Sequence, residues 1–397
     1  MAPGYVKFPA ERAERCVWES AEVDLPRADV DPGGLLEYSV VFTDRSLNHM
    51  SQRFVTVMQD LVDVLCTTYH AETVAIVPGG GTYAMEAVAR QLATGRRCLV
   101  VRNGLFSYRW SQIFDAGSIP AEATVCCARP VSDERQAAWQ PPPVAEVVES
   151  IERDRPEVVF AAHVETAAGM LLHDDYVRAI ARATHEVGGL FVLDCIASGA
   201  LWMDMSDLAV DVLLSAPQKG WSGSPCAGFV MLGEAGRAAV VSTTSTSFAA
   251  DLGKWLSITE AYLEGKTPYH ATMPTDALAH DAELMIQTRD AGLDGLRKAQ
   301  VELGARVRRA LGHRGFPSVA AKEFAAPSVV VAHTDDPEIR SGAKFKQAGV
   351  QIAAGVPLMC GEGDDFSSFR IGLFGLDKLT DVDGTVRRLE AHLDQLA

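Results

Sequence analysis

Basic charge, paired cysteines and long apolar runs are all scarce in this 397-residue sequence. Lys and Arg total 36 against 52 Asp and Glu, a formal charge of −16 with His neutral. That excludes the basic footprint needed for a broad grip on nucleic acid or an anionic membrane. The eight cysteines, at 16, 66, 98, 126, 127, 195, 226 and 360, are scattered, mostly inside apolar runs, and show no CxxC spacing. They read as buried, reduced thiols rather than a disulfide framework. No stretch approaches the ~18 uninterrupted apolar residues of a membrane span, and the opening MAPGYVKFPAERAER carries charges throughout. The expectation is a soluble, cytoplasmic protein. HExxH and His/Cys ligand spacings are missing, as is a GxSxG elbow after a strand, so neither metal catalysis nor a serine hydrolase is indicated.

What is present is a chain of ordinary globular composition, 48% apolar and 22% charged, long enough to bury roughly three quarters of its unfolded surface. From residue 73, β-branched runs at 73–77, 98–102, 123–127, 157–162, 189–194, 211–216 and 227–232 alternate with amphipathic stretches at 82–93, 144–153 and 174–187. Runs apolar on both faces suit strands inside a sheet, and the alternation predicts an α/β fold with a mostly parallel, doubly wound sheet. QPPPV at 140–144 reads as a rigid loop before a helix. After Pro274 a long helical pattern over about 277–312 precedes short strand patterns at 327–334, 350–354 and 368–374 and a closing helix. The predicted organisation is an unassigned segment 1–30, a large domain 31–276 and a smaller C-terminal α+β domain 277–397.

Several residues invite a chemical reading. Glycines in VPGGGTYAME (77–86) follow a strand and open a helix, where backbone N–H groups and the helix dipole suit an anion. A tight turn would also require glycine there, and neither GxGxxG nor GxxxxGK(S/T) is formed. Asp194 ends an apolar strand at the carboxyl edge where open α/β sheets place ligands, although a helix N-cap would explain it too. Lys219 lies 25 residues later in SAPQKGWSG, a small-residue loop between apolar strands, where burial would lower its pKa towards that of a nucleophile. An Asp for a pyridinium nitrogen, a Lys for a Schiff base and a glycine turn for a phosphate are together what pyridoxal phosphate asks of a protein.

In order, VPGGGTYAMEA, VVRNGLFSYRW, HVETAAGM, VLDCIASGA, SAPQKG, PYHATMP and FRIGLFG resemble the class V aminotransferases of fold type I, nearest the alanine-glyoxylate and serine-pyruvate subgroup. The resemblance runs from about residue 73 to 390. It implies a large PLP-binding domain and a smaller C-terminal domain, with Lys219 as the Schiff-base lysine and Asp194 on the ring nitrogen. It further implies Phe106 stacked on the ring, Thr166 near the ring oxygen, and Gly80, Gly81, Thr82 and Gln218 around the phosphate. Tyr269 and Thr272 would reach that phosphate from the other subunit of a homodimer, and Arg370 would hold the substrate's α-carboxylate. The implied reaction moves the amino group of a small, alanine- or serine-like amino acid to a glyoxylate- or pyruvate-like 2-oxo acid by a ping-pong cycle.

The sequence departs from the family pattern at Ala167 and Ala168, where relatives usually carry hydroxyl residues, which predicts thinner polar surroundings for the ring oxygen. Residues 34–54 are expected to supply part of the substrate pocket. Cys360, ten residues before Arg370, raises the alternative of a PLP-dependent lyase, desulfurase-like or β-eliminating. Those relatives usually place His before the lysine, where Gln218 stands here.

Overall fold

The computed structural model describes residues 29–396. The segment 1–30 that resists assignment lies outside them except for its last two residues, and Cys16 lies there too. The predicted strands form as β1 (Thr73–Pro78), β2 (Arg97–Arg102), β3 (Glu122–Cys127), β4 (Val158–Ala162), β5 (Leu190–Asp194), β6 (Val212–Ser215) and β7 (Ala227–Leu232). They make one seven-stranded sheet in the order β1-β7-β6-β5-β4-β2-β3. The pairings among β3, β2, β4, β5 and β6 are parallel, whereas β7 runs antiparallel to both β6 and β1. Nearly every residue of β4 to β7 is buried, as a sheet covered on both faces requires.

Helices α2 (Gly81–Leu92), α3 (Leu105–Gly117), α4 (Val144–Asp154) and α5 (Asp174–Glu186) supply the crossovers. Each buries one stripe; in α5 it is Tyr176, Val177, Ile180, Ala181 and Thr184, the three- and four-residue spacing of an amphipathic helix. Pro143, from the proline cluster, is the N-cap of α4. In the core Phe160 of β4 meets Trp110 and Phe114 of α3, at ring separations of 4.5 and 5.4 Å.

Three features differ from the sequence expectation. Helix α1 (Gln52–Tyr69), capped by Ser51 Oγ accepting from Phe54 N–H, was not anticipated, although Phe54, Met58, Leu61 and Leu65 recur at helical spacing. The helical pattern over 277–312 is two helices, α8 (Thr275–Asp290) and α9 (Leu293–Gly312), because Gly292 takes a left-handed φ of 92°. Of 350–354 only Ala353–Ala354 is extended. That strand, β9, joins β8 (Val329–His333) and β10 (Ser368–Gly372) in an antiparallel sheet of order β8-β10-β9, so Arg370 sits on the central strand. Among the described residues no helix is long and apolar enough to cross a membrane.

The loop from β6 to β7, which carries Lys219, is pinned from several sides. Trp221 is fully buried, its ring 4.5 Å from that of Trp202. Asp281 of α8 accepts from Ser224 N–H at 2.6 Å and from the Cys226 thiol at 2.9 Å, and Ser222 Oγ accepts from Leu376 N–H. Gly220 packs so closely that a Cβ there would collide with the Gly199 carbonyl oxygen. Gly220→Ala is therefore expected to lower stability by ~1–3 kcal/mol in chemical denaturation. A variant as stable as the parent would show that the loop yields.

Candidate active site

The carboxyl ends of the central strands open onto a cleft of about 710 Å³ that the antiparallel sheet closes from the other side. It is lined by Gly81, Thr82, Phe106, Thr166, Asp194, Gln218, Lys219 and Arg370. Residues spread over nearly 300 positions of sequence thus meet at one place, the edge where open α/β sheets bind ligands.

Asp194 ends β5 and is almost fully buried, its Oδ1 accepting from Ile196 N–H at 2.9 Å. Burial pushes its carboxyl up to about 7, with the nearby Glu165 charge acting in the same direction and the Ile196 hydrogen bond and the Arg109 charge opposing it. Lys219 is largely enclosed, its Nζ 4.8 Å from the Phe374 ring centre. Burial first, and then the positive charge of Arg370, holds its ammonium below the usual lysine range. Arg370 Nε donates to the Ala354 carbonyl at 2.8 Å, and its guanidinium lies 5.4 Å from the Phe106 ring centre. Gly80 is the N-cap of α2 with no side-chain cap, so the N–H groups of Gly81 and Thr82 lack acceptors in the helix. Gly81 has no room for a side chain, since a Cβ would stand 2.6 Å from Ile196 Cδ1. The Oε1 of Gln218 is buried with no hydrogen-bond partner among the described residues.

Not every expected residue arrives at the cleft. Tyr269 and Thr272 are exposed and lie outside its lining, their hydroxyls 3.2 Å apart. None of residues 34–54 lines it either; 34–41 are largely exposed, and α1 from Gln52 packs away from it on α7 (Leu252–Leu263) and α8. Ala167 and Ala168 are fully buried beneath the cleft beside Val329 and Val331 rather than on its surface. Cys360 also lies outside, its Sγ 3.4 Å from the Arg102 carbonyl. All seven described cysteines are free, but only Cys98, Cys195 and Cys226 are fully buried. Among the described residues no group of three or more His, Cys, Asp and Glu is placed to hold a metal ion.

Three residues at or beneath the cleft were not anticipated. Glu165, within HVETAAG, is fully buried and accepts from Phe106 N–H, Ser107 N–H, Ser107 Oγ–H and Ala167 N–H at 2.7–3.2 Å. It therefore fixes the first turn of α3 and with it Phe106. Arg109 and Lys378 line the cleft. Arg109 stands three residues after Phe106, a helical spacing that was the one available signal.

No family model matches the chain. It is 25% identical over 355 residues to the "soluble hydrogenase 42 kDa subunit" of Anabaena cylindrica, covering 88% of each chain. It is 28% identical over 347 residues to the 2-aminoethylphosphonate–pyruvate transaminase of Paraburkholderia phymatum, covering 84% of each. The crystal structure of an alanine–glyoxylate aminotransferase from Nostoc sp. superposes with a TM-score of 0.74 at 20% identity, over 88% of this chain and 89% of that one. The fold is that of the class V aminotransferases, fold type I.

The class V fold implies pyridoxal phosphate, and the cleft fits it. A buried carboxylate with no ion-pair partner within 4.0 Å among the described residues suits the ring nitrogen, a lysine driven towards neutrality suits the aldehyde, and the unpaired N–H groups at the helix start suit the phosphate. Until that nitrogen is bound, Asp194 costs stability when ionised. The folded state keeps its proton up to about pH 7, while the unfolded carboxyl ionises near 3.8. Stability of the cofactor-free protein should therefore fall as pH rises through that window. Urea unfolding at pH 4.5 and 8 is expected to show the parent losing a few kcal/mol relative to Asp194→Asn. A difference that does not change with pH would mean the carboxylate is compensated.

Proposed function

We propose that this protein is a pyridoxal phosphate-dependent aminotransferase that moves the amino group of a small, alanine- or serine-like donor to a glyoxylate- or pyruvate-like 2-oxo acid, in two half-reactions. The observation that carries the reading is the meeting of Asp194, Lys219 and Arg370 in one cleft. Relatives with comparable identity bear either a hydrogenase or a transaminase name, and this constellation favours the second.

Bound pyridoxal phosphate supplies the electron sink for the bond broken at the donor's α carbon. Asp194 would pair with the ring nitrogen and Phe106 would stack on the ring. Thr166 would lie near the ring oxygen, and Gly80, Gly81, Thr82 and Gln218 would hold the phosphate. Lys219 would serve as the base that carries the proton from the α carbon, because its ammonium is destabilised by burial and by Arg370. The planar Arg370 fork takes the donor's carboxylate.

The same reading makes the enzyme a cytoplasmic homodimer, with 31–276 as the large domain and 277–397 as the small one. The exposed Tyr269 and Thr272 support it, as do Tyr83 and Phe248, large exposed apolar side chains that an interface would cover. In the dimer the Tyr269 and Thr272 hydroxyls would complete the phosphate site of the other subunit. The position of Cys360 outside the cleft gives the lyase alternative no support.

The purified protein should be yellow, bleach with a small amino acid alone and recover its colour with a 2-oxo acid. Turnover without any acceptor would instead establish a lyase. Lys219→Ala is expected to bind the cofactor yet lose multiple turnovers, and retained turnover would sink the assignment. Cys360→Ala should keep nearly full activity; a folded but inactive variant would return the thiol to the mechanism.

A further inference from the structure

The groups assigned to the phosphate are all uncharged: two backbone N–H groups at the start of α2, the Thr82 hydroxyl and the Gln218 amide. A phosphate monoester carries close to two negative charges above its second pKa of about 6, and a helix terminus offers only about half a positive charge. The deficit calls for a cation. Lys219 is committed to the aldehyde, Arg370 is bonded to the Ala354 carbonyl on the antiparallel sheet, and Lys378 is paired with Asp377 at 3.2 Å.

Arg109 is the remaining cation in the lining. Its Nη1 donates to Thr82 Oγ1 at 3.1 Å, which puts the guanidinium beside the first turn of α2. The fork also lies 5.2 Å from the Phe106 ring centre. Among the described residues it has no ion-pair partner within 4.0 Å, and one of its five N–H donors is engaged. Its helix is anchored by Glu165 through the first turn, so the guanidinium stands on a fixed base.

From this arrangement, and resting on the reading that the cleft holds pyridoxal phosphate, we infer that Arg109 is the cationic phosphate ligand of the site. It closes the cradle begun by Gly81, Thr82 and Gln218 and neutralises a charge that the helix terminus cannot match.

Binding of pyridoxamine 5′-phosphate and of pyridoxamine to the cofactor-free protein separates the phosphate from the ring, and neither ligand bonds covalently to Lys219. Fluorescence titration of Arg109→Gln is expected to show affinity for the phosphorylated ligand reduced by about 10- to 100-fold. Affinity for pyridoxamine should stay within about twofold. Arg109→Lys should recover part of the loss, and in the parent only the phosphorylated ligand should weaken steeply with salt. Equal losses for both ligands, or no loss for either, would overturn the inference. Should the Gln variant not fold, the Lys variant and the parent's salt dependence decide it on the same terms. A parent that binds neither ligand would instead remove the cofactor reading beneath it.

Discussion

An ionised carboxylate can be buried only if something compensates its charge, and the two carboxylates beneath this cleft meet that demand differently. Glu165 draws four donors from its own chain and becomes the cap that sets α3. Asp194, at the end of a central strand, draws Ile196 N–H and is left with a strongly raised pKa. The first satisfies itself and is structural. The second has no ion-pair partner within 4.0 Å among the described residues, so burial makes its ionised form costly, a cost that a cationic group bound in the cleft would offset.

The lysine's position follows from a similar tension. A loop with a buried tryptophan, two close glycine contacts and a left-handed Ser222 would not hold a flexible side chain in place by itself. Asp281 supplies the restraint from α8, taking Ser224 N–H and the Cys226 thiol, while Leu376 at the start of the short helix α10 (Leu376–Leu379) is tied to Ser222. The helix that follows the large sheet and a segment beyond the small one thus grip the same loop. Lys219 is thereby kept in an environment dry enough to lower its pKa and still open to the cleft.

The central strands were legible because their β-branched runs are short, apolar on both faces and bounded by glycine or polar residues. Asp194 and Lys219 were legible because each is a charge set among apolar strands, whereas Arg370 was reached only through the family resemblance. Glu165 was not, since its partners in α3 lie 58 and 59 residues away and nothing local marks the acid as a cap. Arg109 looked like any helical surface arginine until α2 brought Thr82 to it. The break between α8 and α9 rests on one glycine whose left-handed conformation the periodicity around it conceals. Residues 34–54 carried motif-like texture, yet 34–41 are largely exposed and none of the span lines the cleft within one subunit.

A chain with 16 excess negative charges places Arg109, Lys219, Arg370 and Lys378 in a single cleft, with Asp194 as the acid among its lining residues. Spread over the surface, the same cations could be paired with neighbouring carboxylates, as Arg129, Arg178, Arg237 and Arg306 are here. Gathered between low-dielectric walls, they make a local positive potential inside a negative molecule. Large polyanions are repelled at long range by the net charge, whereas a small acid that enters the cleft meets the field at close quarters, where screening is weak. The placement of these charges would by itself favour small anions in the cleft, before any hydrogen bond to them forms.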